Sequence, residues 1–254
     1  MCILFIAVDT HPKYPLIVCA NRDEFHHRPT QAAQYWQADN TDKRILAGRD
    51  LQAGGTWLGV SETGQFAGLT NIRTAQAETH LRSRGELVVN ALVHQLDHQW
   101  LTEHAALYSP FNLIYEQQQT LFCFNSQQQT SIPLTKGFHA ISNGALDEKW
   151  PKMAKGEQAL EQLIKQQGEL DINQLIEIML DNSTAKDELL PQTGISLEWE
   201  RLLSSIFIKH AEYGTRSTSV LLRDKCGSCS FTERRYDGKG RNLGQQTFSL
   251  TVTP

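Results

Sequence analysis

Cys2 stands directly behind Met1 and opens the apolar run Cys2-Ile-Leu-Phe-Ile-Ala-Val8. Aminopeptidases remove an initiator methionine when the second side chain is small, and removal here would leave a thiol and a free α-amine on one residue. That combination is a nucleophile with its own base. A small, apolar cysteine buried in a strand is the alternative for the same residue. A second polar group of interest, Asn21-Arg-Asp-Glu24, follows another apolar run. It can be a charged turn whose ion pairs contribute little, or it can meet a pocket mouth, where a cation favours a nearby thiolate. Farther on, Gly54-Gly-Thr-Trp57 would let backbone N–H groups approach a ligand, although paired glycines also mark ordinary turns. Asn71 ends an apolar run with an amide that can donate to a developing oxyanion. Asn143 and Arg216 each stand beside a further apolar run, where a site can be preorganised.

These groups need a frame. The runs Cys2–Val8 and 16–20 flank a proline-containing turn and read as an antiparallel pair, which carries residue 2 towards residues 20–24. Residues 56–60 and 65–71 suit a hairpin through Ser61-Glu-Thr-Gly64. Ser83 and Glu86 have capping-box spacing ahead of Leu87, Val88, Ala91, Leu92 and Leu96, which predicts a helix. Residues 111–115 and 120–124 predict another hairpin, and the glutamines at 117–119 and 127–129 read as polar turns. Helices are expected over Pro151–Lys165, with proline in the first turn, and over 172–180. A surface loop should cover 182–196, and strands return over 218–222, 230–235 and 246–252. Hairpins with grouped helices favour antiparallel sheets in an α+β arrangement over a doubly wound parallel sheet.

The chain has 254 residues, enough for one domain with a full core, taken as 1–254. Its 24 basic and 28 acidic residues give a net charge of −4, without the basic excess that nucleic-acid binding needs. No stretch approaches the roughly 20 apolar residues of a membrane span, and the N-terminal run has no basic leader. Five scattered cysteines, an odd number, fit a reducing compartment better than a disulfide framework. A cytoplasmic location is therefore expected. Cys226-Gly-Ser-Cys229 lies between two apolar runs and not at a helix start, so it reads as a turn. His94 and His98 would share a helix face, but the Glu of a zinc-protease motif is missing. No dinucleotide fingerprint or phosphate loop is present, and no metal or other cofactor is expected.

Several segments together resemble the NRDE domain family, also called the transport and Golgi organisation protein 2 family. They are Met1-Cys2-Ile3, Ala20-Asn-Arg-Asp-Glu-Phe25 with Arg28-Pro29, Gly54-Gly-Thr-Trp-Leu-Gly59, Leu69-Thr-Asn71, Arg84-Gly-Glu-Leu-Val88, Phe111-Asn-Leu-Ile114, Ser142-Asn143, Tyr213-Gly-Thr-Arg216 and Phe231-Thr-Glu-Arg234. More distantly the layout is similar to N-terminal-nucleophile hydrolases of the choloylglycine hydrolase and penicillin V acylase group. That resemblance implies a four-layer αββα sandwich of two antiparallel sheets. It also implies roles: Cys2 as nucleophile, Asn71 and Asn143 at the oxyanion, Arg216 on a late strand, and an acid after the second strand. Those hydrolases show Arg-Asn-x-Asp after that strand, so here Asn21 fills the first slot and Glu24 the acid slot. Asn21, Arg22, Asp23, Gly55, Thr56, Trp57, Arg73 and Arg84 are then candidate binding residues. The implied partner is an acylated small-molecule substrate cleaved at an amide or thioester. The alternative is a carrier for an amphiphilic acidic ligand such as haem or acyl-CoA.

Overall fold

The computed structural model describes residues 2–39, 41–74, 82–166 and 169–251. In chain order the first elements are β1 (Cys2–Val8), β2 (Leu16–Phe25), β3 (Thr30–Gln37), β4 (Arg44–Asp50), β5 (Leu58–Ser61), β6 (Phe66–Asn71), α1 (Gly85–Leu92) and α2 (His98–His104). Then follow β7 (Phe111–Gln117), β8 (Thr120–Asn125), β9 (Thr130–Pro133), β10 (Gly137–Ile141), α3 (Pro151–Lys165), α4 (Ile172–Ile178), α5 (Leu197–Leu202), β11 (Tyr213–Arg223), β12 (Cys229–Tyr236) and β13 (Asn242–Leu250). The strands form two antiparallel sheets, one ordered β10-β1-β2-β11-β12-β13 and the other β3 to β9 in sequence order. Packed face to face between helices, they make the four-layer αββα sandwich.

Period-two alternation explains why β1 and β2 read as unbroken apolar runs. Cys2, Leu4, Ile6, Leu16, Val18 and Ala20 face the second sheet, whereas Ile3, Phe5, Ala7, Ile17 and Cys19 face the helices. Both faces are buried, so both must be apolar. α3 crosses β1 in close contact: a Cβ added to Gly156 would stand 2.0 Å from the Phe5 ring. On the other side α1 places Leu87, Val88, Ala91 and Leu92 over Ala67, Leu69 and Leu113. Among the described residues no helix is long and apolar enough to cross a membrane.

The structure corrects several local expectations. β2 does not stop at residue 20 but runs to Phe25, so the polar tetrad lies inside a strand. It can do so because β11 pairs along the whole length of β2. The capping box does not form: α1 starts after Arg84, and Glu86 bonds instead with Arg82 and the Tyr108 hydroxyl. His94 lies beyond the end of α1 with φ of 60°, so it shares no helix with His98, whose ring bonds Ser131. The helix expected over 172–180 closes at Ile178. β3, β4, β9, α2 and α5 were not anticipated: several are short, or carry the polar residues of an edge.

Candidate active site

A cleft of about 320 Å³ opens where β1 and β6 meet the polar end of β2 and the start of α1. Strand register builds its floor, because Cys2 sits directly opposite Arg22 across the β1–β2 ladder. Both side chains lie on the face turned towards the second sheet, and both line the cleft. Arg22 is held flat by three partners. Its guanidinium stacks 4.2 Å from the Trp57 ring centroid, donates 2.9 Å to Thr30 Oγ1 and lies 4.0 Å from Asp50. Trp57 has room for this because Gly48 lies beneath it; a Cβ there would come within 2.3 Å of the indole. Stacking fixes the guanidinium plane while leaving its charge directed at the floor.

Alternation also divides the tetrad. Asn21 turns to the helices, donating to the carbonyls of Met179 (2.8 Å) and Ile206 (2.9 Å) and accepting from Thr218 Oγ1 (2.6 Å). It is fully buried and lies away from the cleft. Asp23 stands at the rim, where helix-facing and cleft-facing sides converge. Its carboxylate accepts from Thr215 Oγ1 at 2.6 Å, and its backbone N–H points at the Cys2 sulfur. Glu24 is more open, 3.9 Å from Arg28, while Arg28 Nε donates 2.8 Å to Asp50. The acid closest in chemistry to Cys2 is thus Asp23.

Burial raises the Cys2 thiol above its ordinary value, and the Asp23 carboxylate adds to that, while Arg22 opposes it. Burial likewise raises Asp23, opposed by Thr215, Lys152 and Arg22. A thiol held up in this way stays protonated near neutrality, so attack requires a base close to the sulfur. Arg84 also reaches the site: burial lowers its pKa, the Cys2 and Glu24 charges raise it, and its Nη1 donates 3.1 Å to the Pro110 carbonyl.

Of the remaining candidates, Asn71, Thr56 and Trp57 line the cleft. Gly55 lies behind it, against the backbone of Gly85, which leaves 2.5 Å for any Cβ. Asn143 is buried to one side; its Nδ2 donates 2.9 Å to the Asn71 carbonyl. Its neighbour Ser142 donates 3.2 Å to the Cys2 carbonyl, so this corner braces the backbones of both cleft residues. Arg73 points away from the cleft into a buried pair with Glu200 at 2.5 Å, over the Trp150 ring. Arg216 occupies a bulge in β11 and donates to the carbonyls of Phe25, His26 and Arg28, holding the turn that carries Arg28. Sequence reasoning did not single out Arg28, Asp50, Arg82 or Ser83 as site residues, yet all four line the cleft. Lys152, Thr215 and Glu200 lie behind it and were missed for lack of any local signal. Among the described residues no three His, Cys, Asp or Glu side chains gather as a metal site.

Comparison with known proteins places this geometry among relatives. The pattern of the family described as Transport and Golgi organisation 2 matches residues 1–238. The Transport and Golgi organization protein 2 homolog of Homo sapiens is 33% identical over 277 residues, covering 99% of both chains. Transport and Golgi organization protein 2 of Drosophila melanogaster is 26% identical over 266 residues, covering 94% of this chain and 93% of its own. Among solved structures, the C2A mutant of conjugated bile acid hydrolase from Clostridium perfringens superposes with a TM-score of 0.56 at 8% identity. The match covers 100% of this chain and 94% of that one, and it shows a shared N-terminal-nucleophile-hydrolase-like fold.

Proposed function

The chain belongs to the Transport and Golgi organisation 2 family, and from that premise we propose that it is a cytoplasmic N-terminal-cysteine hydrolase of acylated small molecules. The observation that carries this reading is the placement of Cys2 on the floor of a polar cleft, opposite Arg22 and under the Asp23 N–H. Once Met1 is removed, the Cys2 amine takes the thiol proton and the thiolate attacks an amide or thioester carbonyl. The Asn71 amide lies on the cleft wall where a developing oxyanion would be met. Collapse breaks the C–N or C–S bond, and the leaving group takes the proton from the amine. Water then attacks the acyl-enzyme thioester, giving its proton back through the amine to Cys2 as the carboxylic acid leaves. Arg22, Arg28, Arg82 and Arg84 outnumber Asp23, Glu24 and Asp50 in the cleft, four to three, which suits a substrate with an acidic group.

A second reading is a carrier that binds an amphiphilic acid, such as haem or acyl-CoA, without chemistry. It is favoured by Asn143, whose amide is engaged by the Asn71 carbonyl and leaves Asn71 as the asparagine amide on the cleft wall. One experiment separates the two. Protein shown by intact mass to begin at Cys2 is assayed on acylated amines and thioesters beside Cys2→Ala. Turnover lost in Cys2→Ala supports the hydrolase; equal ligand binding by both proteins with no turnover in either supports the carrier.

A further inference from the structure

Lys152 is the second residue of α3, yet its side chain is buried, with its ammonium donating 2.9 Å to the Leu203 carbonyl. Methionine would fill similar space without the cost of burying a charge, so a lysine at this depth asks for an electrostatic reason. Its surroundings supply one. α3 lies across the helix-facing side of β1, and alternation along β2 turns Asn21 and Asp23 to that same side. Lys152 and Asp23 therefore share the sheet's helical side and feel each other's charge there, while Cys2 lies on the cleft side.

The charged groups that face Lys152 come from four elements. Arg73 follows β6, Asp23 belongs to β2, Glu200 to α5 and Cys2 to β1. Arg73 and Glu200 neutralise each other at 2.5 Å. Of the groups facing Lys152 that leaves one carboxylate, Asp23, which also feels the Arg22 charge from the cleft side, and one ammonium, Lys152 itself. Loss of Met1 moves the terminal α-amine onto Cys2, which begins the strand opposite Arg22, one residue from Asp23. Two amines then compete for a single buried carboxylate, and both cannot be ammonium without leaving an uncompensated buried charge.

We propose that Lys152 is a positioning residue for the Cys2 nucleophile: its buried charge, sharing Asp23 with the Cys2 α-amine, keeps that amine unprotonated and available for the thiol proton. Lys152 itself neither gains nor loses a proton in the step; the proton passes from Cys2 Sγ to the Cys2 nitrogen. The idea rests on the reading of Cys2 as an N-terminal nucleophile and gives that reading its base. Burial followed by the Arg73 charge brings Lys152 down to about 8, which leaves it mostly charged near pH 7.

The test needs no turnover. A cleavable leader is removed so that residue 2 comes first, in a Cys2→Ser background that frees the amine from thiol chemistry. Carbamylation of the α-amine by cyanate is followed from pH 5.5 to pH 9.5 by mass spectrometry of the N-terminal peptide. With Lys152 present the midpoint should lie below the ordinary α-amine value of about 8. Lys152→Met should raise it by about one pH unit, slowing carbamylation at pH 7 by about ten-fold. Lys152→Gln, which can still donate to the Leu203 carbonyl, should do the same, and Lys152→Arg should leave the midpoint in place. An unmoved midpoint in folded Lys152→Met or Lys152→Gln overturns the proposal, as does an equal shift in Lys152→Arg. A shift as expected alongside an inert wild-type cleft would sink the hydrolase reading alone.

Discussion

Asn143 Nδ2 donates 2.9 Å to the backbone carbonyl of Asn71, joining the end of β10 in one sheet to the end of β6 in the other. Because Ser142 donates to the Cys2 carbonyl at 3.2 Å, the same two-residue corner fixes the spacing between Cys2 and Asn71. The cleft is thus braced at its seam, where two sheets could otherwise slide.

Asn143→Ala should therefore destabilise the protein by about 1–3 kcal/mol, the usual cost of stranding a buried carbonyl. Urea unfolding would show a lower midpoint with an unchanged slope. A wild-type midpoint would mean that water replaces the amide without loss.

Asn21→Leu should be more damaging. Three buried partners, the carbonyls of Met179 and Ile206 and the Thr218 hydroxyl, lose their bonds at once. A loss of about 2–4 kcal/mol is expected. Because Asn21 faces the helices, ligand affinity of the surviving folded fraction should be unaltered, which titration below the unfolding midpoint would check.

Glu200→Leu leaves Arg73 buried beside Trp150 without its carboxylate, and should cost about 3–5 kcal/mol. Removing both charges, as Arg73→Met with Glu200→Leu, should recover most of that. A double-mutant cycle in denaturant reads the coupling; additive losses would show that the pair contributes nothing as a pair.

The pH dependence of stability has a definite sign at Lys152. Its pKa falls on folding from 10.5 to about 8, chiefly through burial. Between those values the unfolded chain binds more protons, so stability rises with pH across about pH 8 to 10.5, by up to about 3 kcal/mol from this group. The difference in unfolding free energy between wild type and Lys152→Met, measured at pH 7.5 and pH 10, should shift in favour of wild type. No change in that difference would mean that the ammonium is solvated.

How much of this was legible in the sequence depends on which physical rule applied. β1 and α3 were readable end to end, the first as a continuous apolar run and the second from Pro151 and its helical period. The meeting of Cys2 with residues 21–24 followed from a hairpin alone. The division of that tetrad between two faces did not. It requires the strand to continue through four polar residues, and only pairing with β11, some 190 residues later, allows it. Lys152 was invisible for a related reason: a lysine in a helix reads as solvated unless the sheet beneath it is known. β3 escaped notice because its glutamines at 31, 34 and 37 hide the alternation expected of a half-buried strand.

The two sheets also differ in how they can be assembled. The β3–β9 sheet pairs each strand with its neighbour in the chain, so it can zip up as a nascent chain lengthens. The other sheet recruits β1 and β2 from the start and β10 to β13 from the second half, and gives β2 its second partner only when residues 213–223 arrive. Until then β2 has a bare edge bearing Arg22, Asp23 and Glu24. Translation halted before β11 would release a chain whose meander is complete and whose nucleophile strand is flanked by an open ladder, a substrate for mispairing and for quality control.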